Sequence, residues 1–281
     1  MEGEVAEVPV AIIGGSGLYQ FLDDAEPVTV PTPYGSHSQG LVRGRVNGRD
    51  AVFLPRHGLG HRHPPHRINY RANLWALASL GVEQVLAPCA VGSLQPELLP
   101  GLFVVPHQLV DRTHSRDSSF GETGAFHVSF ADPYCSAGRA VLVEAAARTR
   151  VSLTTEGVMV VIEGPRFSTR AESQSLGREG WSLVNMTGMP EAVLARELAM
   201  CYSALAVVTD FDAGVDADAA VRQDDVFAGF ERSLGSLRDV LTHAVALLPR
   251  DRTCRCGQAL QGMSSAHLPA PGKPGHEVPA T

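Results

Sequence analysis

Positive charge is scarce in this chain: across 281 residues, 23 lysines and arginines face 30 aspartates and glutamates, a net charge of −7. That balance argues against nucleic acid as a partner. It also means that any phosphate site must be built from a few local cations and backbone N–H groups. Long apolar runs are lacking too. No stretch approaches the roughly 18 residues of a membrane-spanning helix, so no membrane span is expected. Residues 1–9 are acidic, without the basic start of a signal peptide. Cysteine is sparse, five scattered residues, and an odd count does not build a secreted disulfide framework. These absences point to a cytoplasmic protein.

What is present suits a globular enzyme. Hydrophobic residues make up 44% and charged residues 19%, enough for a sizeable core. Residues 8–13 form an apolar run entering the glycine loop Gly14-Gly15-Ser16-Gly17. Residues 40–54 read as two strands around the turn Asn47-Gly48, and 70–80 as a helix stopped by Gly81. Residues 84–91, 103–110, 157–162 and 183–186 read as extended. Residues 111–127 are polar and aperiodic, a long loop of the kind that is usually functional. Helices are expected over 139–147 and 190–200, with another after Ser168 or Thr169, where Glu172 completes a capping box with Thr169. Phe227, Phe230, Leu234, Leu237 and Leu241 recur at helical spacing. From 250 onward the pattern dissolves, and 269–275 is rich in Pro and Gly. The expectation is one α/β domain over 1–250 and a disordered tail over 251–281.

Several segments carry chemistry. Asp210 and Asp212 follow the apolar run 205–208. Two residues apart on an extended segment, their side chains point the same way. One ionised and one protonated carboxyl would match the donor and acceptor edge of an aminopurine; a strand-end pair capping a turn is the bland alternative. The glycine loop with Ser16 either cradles an anion or is a plain tight turn. Gln20 stands where a dinucleotide fingerprint needs its third glycine, which weakens a Rossmann reading. Arg56-His57-Gly58 follows another apolar run. Its guanidinium can fork two bonds to phosphate and its imidazole can add a third, unless this is a solvated basic loop. His61, His63 and His66 raise a metal alternative, but no Cys or carboxylate stands among them. Thr187, just before a helix, is a candidate phosphate donor, and Met186 can pack under a sugar or base. Cys254-Arg255-Cys256 is too short for a structural zinc site, with only the distant His267 for company. It reads as a surface thiol pair or a strained redox disulfide. No metal site is expected.

The order of these segments is more specific than any one of them. Ile13-Gly14-Gly15-Ser16-Gly17-Leu18, Arg56-His57-Gly58, Asn69-Tyr70-Arg71-Ala72-Asn73 and Ala90-Val91-Gly92-Ser93-Leu94 are followed by Glu163-Gly164-Pro165-Arg166-Phe167-Ser168. Asn185-Met186-Thr187, Pro190-Glu191 and Thr209-Asp210-Phe211-Asp212 complete the series. Over residues 10–248 the chain resembles 5′-methylthioadenosine phosphorylases of the trimeric purine nucleoside phosphorylase superfamily. The resemblance implies a mixed, twisted central sheet flanked by helices, and a homotrimer. It assigns phosphate to Ser16, Arg56, His57, Ala90 and Thr187, with the Cys89 backbone N–H as a further donor. It lays Met186 against the ribose, Phe167 against the base, and Asp210 and Asp212 at the purine edge. Ser168, Gln223, Val226 and Phe227 would set specificity, and His127 matches a histidine that crosses into a neighbouring subunit's site. Pro88-Cys89 stands where related enzymes often carry threonines, and Gln223 falls near a position that methylthio-selective members make apolar.

The activity implied is reversible phosphorolysis, with orthophosphate as co-substrate and no cofactor. Phosphate would attack the anomeric carbon while protonated Asp210 gives its proton to N7 and Asp212 accepts from the 6-amino group. The rivals are a general purine nucleoside phosphorylase acting on inosine, guanosine or adenosine, a nucleoside hydrolase, a non-catalytic nucleoside sensor, and an NAD-binding oxidoreductase.

Overall fold

Two long apolar strands, β5 (Gln84–Ser93) and β11 (Cys201–Phe211), organise the molecule. They pair in parallel along almost their whole length, and both are buried nearly throughout, as interior strands of an α/β sheet must be. The structure is a computed structural model that describes residues 8–15, 17–18, 21–121, 126–216, 220–264 and 269–271. The other strands are β1 (Val10–Gly14), β2 (Asp23–Pro27), β3 (Val42–Val46), β4 (Arg49–Pro55), β6 (Phe103–Val104), β7 (Gln108–Arg112), β8 (Leu153–Thr154), β9 (Val158–Ile162) and β10 (Leu183–Asn185). The helices are α1 (Tyr70–Ser79), α2 (Ser136–Thr149), α3 (Arg170–Arg178), α4 (Gly188–Glu197) and α5 (Gln223–Leu247). All the strands join one mixed sheet in the order β2-β3-β4-β1-β5-β10-β9-β7, with β11, β6 and β8 branching from β5.

Alternation along β5 explains the two cores. Val85, Ala87, Cys89 and Val91 face a cluster with Leu74 and Leu77 of α1 and Leu194 of α4. Leu86 faces the opposite way, toward Leu142 of α2 and Leu237 and Leu241 of α5. The period of two sends neighbouring side chains to opposite layers. The expected mixed α/β sheet flanked by helices is therefore the observed architecture.

Local signals account for most boundaries. Asn47 and Gly48 both take positive φ, 50° and 76°, in the β3–β4 hairpin, as its two-residue turn requires. Thr169 caps α3 with the reciprocal Glu172 box. Two strands carried no apolar signal. β2 is an exposed Asp-Asp-Ala-Glu-Pro edge that pairs with β3, and the short β8 is held by β6. The extended run at 103–110 is two strands, β6 and β7. The tail also departs from expectation. Arg252 Nε pairs with Glu83 at 2.7 Å, and Cys256 is buried. The stretch from Arg252 to Cys256 therefore lies against the domain, within the segment read as a disordered tail. Most of 269–275 lies outside the described residues.

Candidate active site

β5 changes partner halfway along one edge. Its first residues pair with β1 up to Leu86, and its last pair with β10 from Gly92. Between them the edge is open, and Pro88 sits there. A proline has no N–H to offer a ladder, so it belongs where a strand lacks a neighbour. The freed carbonyls find side chains instead: Pro88 O accepts from Arg56 Nη1 at 3.2 Å and Ala90 O from Asn185 Nδ2 at 3.1 Å. A cavity of about 450 Å³ opens at this fork. Such switch points, where neighbouring strands diverge, are where α/β sheets place ligands. It brings together Arg56, His57, Cys89, Ala90, Phe167, Ser168, Met186, Thr187, Asp210, Asp212, Gln223, Val226 and Phe227. Nearly every candidate residue read from the sequence thus lines one space. Ser16 lies outside the described residues. His127 is exposed and is not among the lining residues of its own chain.

The cationic end differs from expectation. Arg56 is only 3% exposed, and its fork grips Glu191, with Nε to Oε1 at 2.7 Å and Nη2 to Oε2 at 2.9 Å. Nη2 also donates to Ile13 O at 3.1 Å. With the bond to Pro88, four of the five guanidinium N–H groups have protein partners. One Nη1 N–H remains among the described residues, so Arg56 can offer a charge and a single hydrogen bond rather than a fork. Burial works against that charge, and Glu191 outweighs it, holding the guanidinium pKa above its ordinary value. Tyr202 donates its hydroxyl to Glu191 Oε2 at 2.8 Å. Ser38 and Asn73 fix the Arg56 backbone, through Ser38 Oγ to Arg56 O at 2.9 Å and Asn73 Nδ2 to Ser38 Oγ at 3.0 Å.

His57 is neutral and oriented. Nδ1 lies 2.8 Å from the His63 carbonyl, so it carries the proton. Burial first, then His61, pushes the imidazole pKa down to about 3. Nε2 therefore presents a lone pair and accepts a hydrogen bond instead of donating one. The rings of His57 and His61 stack at 3.9 Å, and His61 meets Phe227 edge-on at 5.7 Å. The three loop histidines do not converge as a metal-binding group among the described residues.

The remaining anion donors are fewer than expected. Asn185 Oδ1 already accepts from the N–H groups of Thr187 at 2.8 Å and Gly188 at 2.7 Å, which takes both amides away from an anion. The Thr187 hydroxyl reaches the same oxygen only at 3.5 Å and can turn to a ligand. Cys89 is buried as a neutral thiol, its pKa pushed up to about 12 by burial. Successive strand residues present their amides to opposite edges. The Ala90 N–H therefore shares the open edge with its carbonyl, while that of Cys89 faces β11.

The carboxylate end is shaped by a bulge. β11 skips one residue between Val208 and Asp210 against β5, which re-aims its end. Both aspartates then converge over Gly92, where a Cβ would lie 3.3 Å from Asp210 Oδ2 and 3.5 Å from Asp212 Cβ. Burial lifts Asp210 to about 6. Thr209, donating to Oδ1 at 2.6 Å, pulls it back, while Asp212 and Asp225 push it further up. Asp212 is 3% exposed, and among the described residues its buried Oδ2 has no protein partner; nor does the buried hydroxyl of Ser168. Unpaired buried polar atoms are costly, and these two belong to a ligand-binding surface.

Two contributors escaped the sequence reading. Glu191 appeared only within a motif, with nothing to reveal its partner 135 positions away. Arg116 stood in an aperiodic loop, yet it is buried and donates to the carbonyls of Met186 at 2.8 Å and Glu163 at 2.6 Å. It clamps together the two loops that carry the cavity wall.

A family model described as "Phosphorylase superfamily" matches residues 9–246. The chain belongs to that superfamily. A purine nucleoside phosphorylase of Streptomyces coelicolor is 52% identical to it, covering 90% of this chain and 95% of that protein. An S-methyl-5′-thioadenosine phosphorylase of Mycolicibacterium smegmatis is 53% identical, covering 87% and 93%. Among solved structures, a methylthioadenosine phosphorylase from Schistosoma mansoni in complex with adenine superposes with a TM-score of 0.87 at 37% identity, covering 93% of this chain and 99% of that one. The superfamily fold thus places this chain's fork of β5, with its arginine, histidine and paired carboxylates, in a nucleoside phosphorylase.

Proposed function

We propose that the protein catalyses reversible phosphorolysis of 5′-methylthioadenosine to adenine and 5-methylthioribose 1-phosphate. The observation that carries this reading is the polarity of one cavity: Arg56, His57 and Thr187 at one end, Asp210 and Asp212 at the other. Phosphate bound beneath the sugar attacks the anomeric carbon as the glycosidic bond breaks through an oxocarbenium-like state. Holding both reactants in one space removes much of the entropic barrier. The phosphate lies against the Arg56 charge, takes hydrogen bonds from Arg56 Nη1, the Ala90 N–H and the Thr187 hydroxyl, and gives its own P–O–H to the His57 Nε2 lone pair. The departing purine gains negative charge. Asp210, pre-adjusted upward by burial, donates a proton to N7, and the purine's burial raises it further. Asp212 accepts from the 6-amino group with its unpartnered Oδ2.

A second reading is a general purine nucleoside phosphorylase that also accepts inosine or guanosine. Gln223, the first residue of α5, favours it, because it places an amide on the wall where an apolar residue would best meet a methylthio group. The Streptomyces relative's name points the same way. Against it, a 6-oxo group facing an ionised Asp212 loses a hydrogen bond and meets lone-pair repulsion.

The proposed assembly is a homotrimer in a reducing cytoplasm, acting without a cofactor. Exposed His127, outside its own chain's cavity, fits a residue that serves a neighbour, and the five unpaired cysteines fit a reducing compartment. Among the described residues no helix is long and apolar enough to cross a membrane. The deciding experiment measures free base released from methylthioadenosine, adenosine and inosine, with and without orthophosphate. Phosphate-dependent release with methylthioadenosine preferred supports the proposal. Release without phosphate, or a preference for inosine, overturns it.

A further inference from the structure

Four of the five cysteines meet at the end of the sheet remote from the cavity. Cys135 precedes α2, Cys201 opens β11, and Cys254 and Cys256 follow α5. Their sulfurs all lie within 4.8 Å of one another, and Cys135, Cys201 and Cys256 are buried. The Cys-x-Cys pair looked too short for a zinc site because its partners stand 53 and more positions upstream. The fold supplies them.

The geometry points to a structural zinc site in which Cys135, Cys201, Cys254 and Cys256 are the four ligands. Zinc–sulfur bonds of about 2.3 Å in a tetrahedron separate the sulfurs by roughly 3.8 Å, and structural zinc sites are closed four-ligand sets of this kind. The thiols span that scale, with Cys201 and Cys254 3.2 Å apart and no pair beyond 4.8 Å, and small side-chain rotations bring them to a common centre. Binding releases the four thiol protons, because the metal takes thiolates. The surroundings suit the negative charge that results. The Gly138 N–H donates to Cys135 Sγ at 3.4 Å, from the first turn of α2. The Arg252 guanidinium, also paired with Glu83, lies against Gly257, next to Cys256, 3.0 Å from where a Cβ would stand. Oriented N–H groups and a nearby cation are the outer partners that tune such ligands. Two disulfides are the competing use of the same four sulfurs.

The site would tie the chain after α5 to the starts of α2 and β11. Nine residues of β11, at about 3.3 Å each, put it roughly 30 Å from Asp210, so its role is to hold the fold, independent of the catalytic reading. The test is metal analysis of the full-length protein purified without chelator. About one zinc per chain is expected, with five thiols titrating only after unfolding in chelator without reductant. Protein stripped of metal and refolded with cobalt(II) alone should show the intense visible bands of tetrahedral thiolate coordination. Cys254→Ser/Cys256→Ser should lose both metal and bands, while Cys89→Ser keeps them. Protein that neither carries zinc nor takes up zinc or cobalt overturns the inference. So does a count of three or one thiols in the unfolded, unreduced chain, which assigns the cluster to disulfides. The wild-type readings decide the matter even if the double variant fails to fold.

Discussion

The Thr209 hydroxyl lies 2.6 Å from Asp210 Oδ1 and 3.2 Å from the Val91 carbonyl. One hydroxyl carries one proton. When Asp210 is ionised, Thr209 donates to it. When Asp210 is protonated on Oδ1, it can donate to Thr209, which then turns to Val91. Either state of the acid leaves the buried hydroxyl paired, which suits the proton-donor role proposed for Asp210.

Thr209→Val removes the bond that pulls Asp210 down. The acid form then persists to higher pH, so the alkaline limb of kcat/KM should move upward. A pH–rate profile checks this, and an unmoved limb would detach Thr209 from the proton donor.

Asp210→Ala should lower kcat by about 10²–10⁴, the usual worth of a general acid, with an unchanged circular dichroism spectrum. Near-normal turnover on methylthioadenosine would remove Asp210 from that role.

The same residue should show its cost in stability. Its folded pKa of about 6 stands above the ordinary 3.8. Between these values the native state binds the extra proton, so stability falls as pH rises through the window. Above pH 6 the ionised carboxyl costs up to about 3 kcal/mol, at roughly 1.4 kcal/mol per pKa unit. Asp210→Asn carries no such charge. It should be more stable than the parent above pH 6, with the advantage shrinking as pH falls toward 3.8. Denaturant melts across that range give the answer, and a pH-independent difference would contradict it.

Glu191→Ala leaves the Arg56 charge buried and alone, a change that typically costs about 3–5 kcal/mol. Glu191→Gln keeps the shape and weakens the grip. It should raise KM for phosphate more than KM for the nucleoside. Equal effects on both would show that Glu191 serves the fold and not the anion.

Gln223→Leu gives the cavity wall an apolar side chain. A methyl-sized apolar contact is worth about 1–3 kcal/mol at most, and Gln223 is exposed, so the ratio of kcat/KM for methylthioadenosine over adenosine should rise by about 10-fold. No change would place the 5′ substituent elsewhere.

Much of the lining of the candidate site was readable from local pattern. Strand ends and glycine turns announce themselves through apolar runs broken by Gly, Asp and Arg, and Asp210, Arg56 and Thr187 each stood at such a break. What they do there was less readable. Arg56 was expected to fork onto phosphate, but its fork belongs to Glu191. The His57 donor is spent on His63, and the Thr187 and Gly188 amides are spent on Asn185. Hydrogen-bond capacity is finite, and which partner claims it depends on neighbours that spacing does not reveal. The exposed β2 and the anchored stretch from Arg252 to Cys256 were missed for a related reason: each is held by pairing or anchoring contacts and carries no apolar period of its own.

By itself the amino-acid order determined the alternation of strand and helix and the run of motifs that marks a nucleoside phosphorylase. These follow from period, turn chemistry and composition, which act over a few residues. Only the tertiary structure decided that β5 parts from β1 before it meets β10, that Glu191 grips the fork of Arg56, and that Cys135 and Cys201 stand beside Cys254 and Cys256. Those are meetings of groups far apart along the chain, and they exist because burying the apolar faces of one sheet leaves the polar and thiol groups a single place to go.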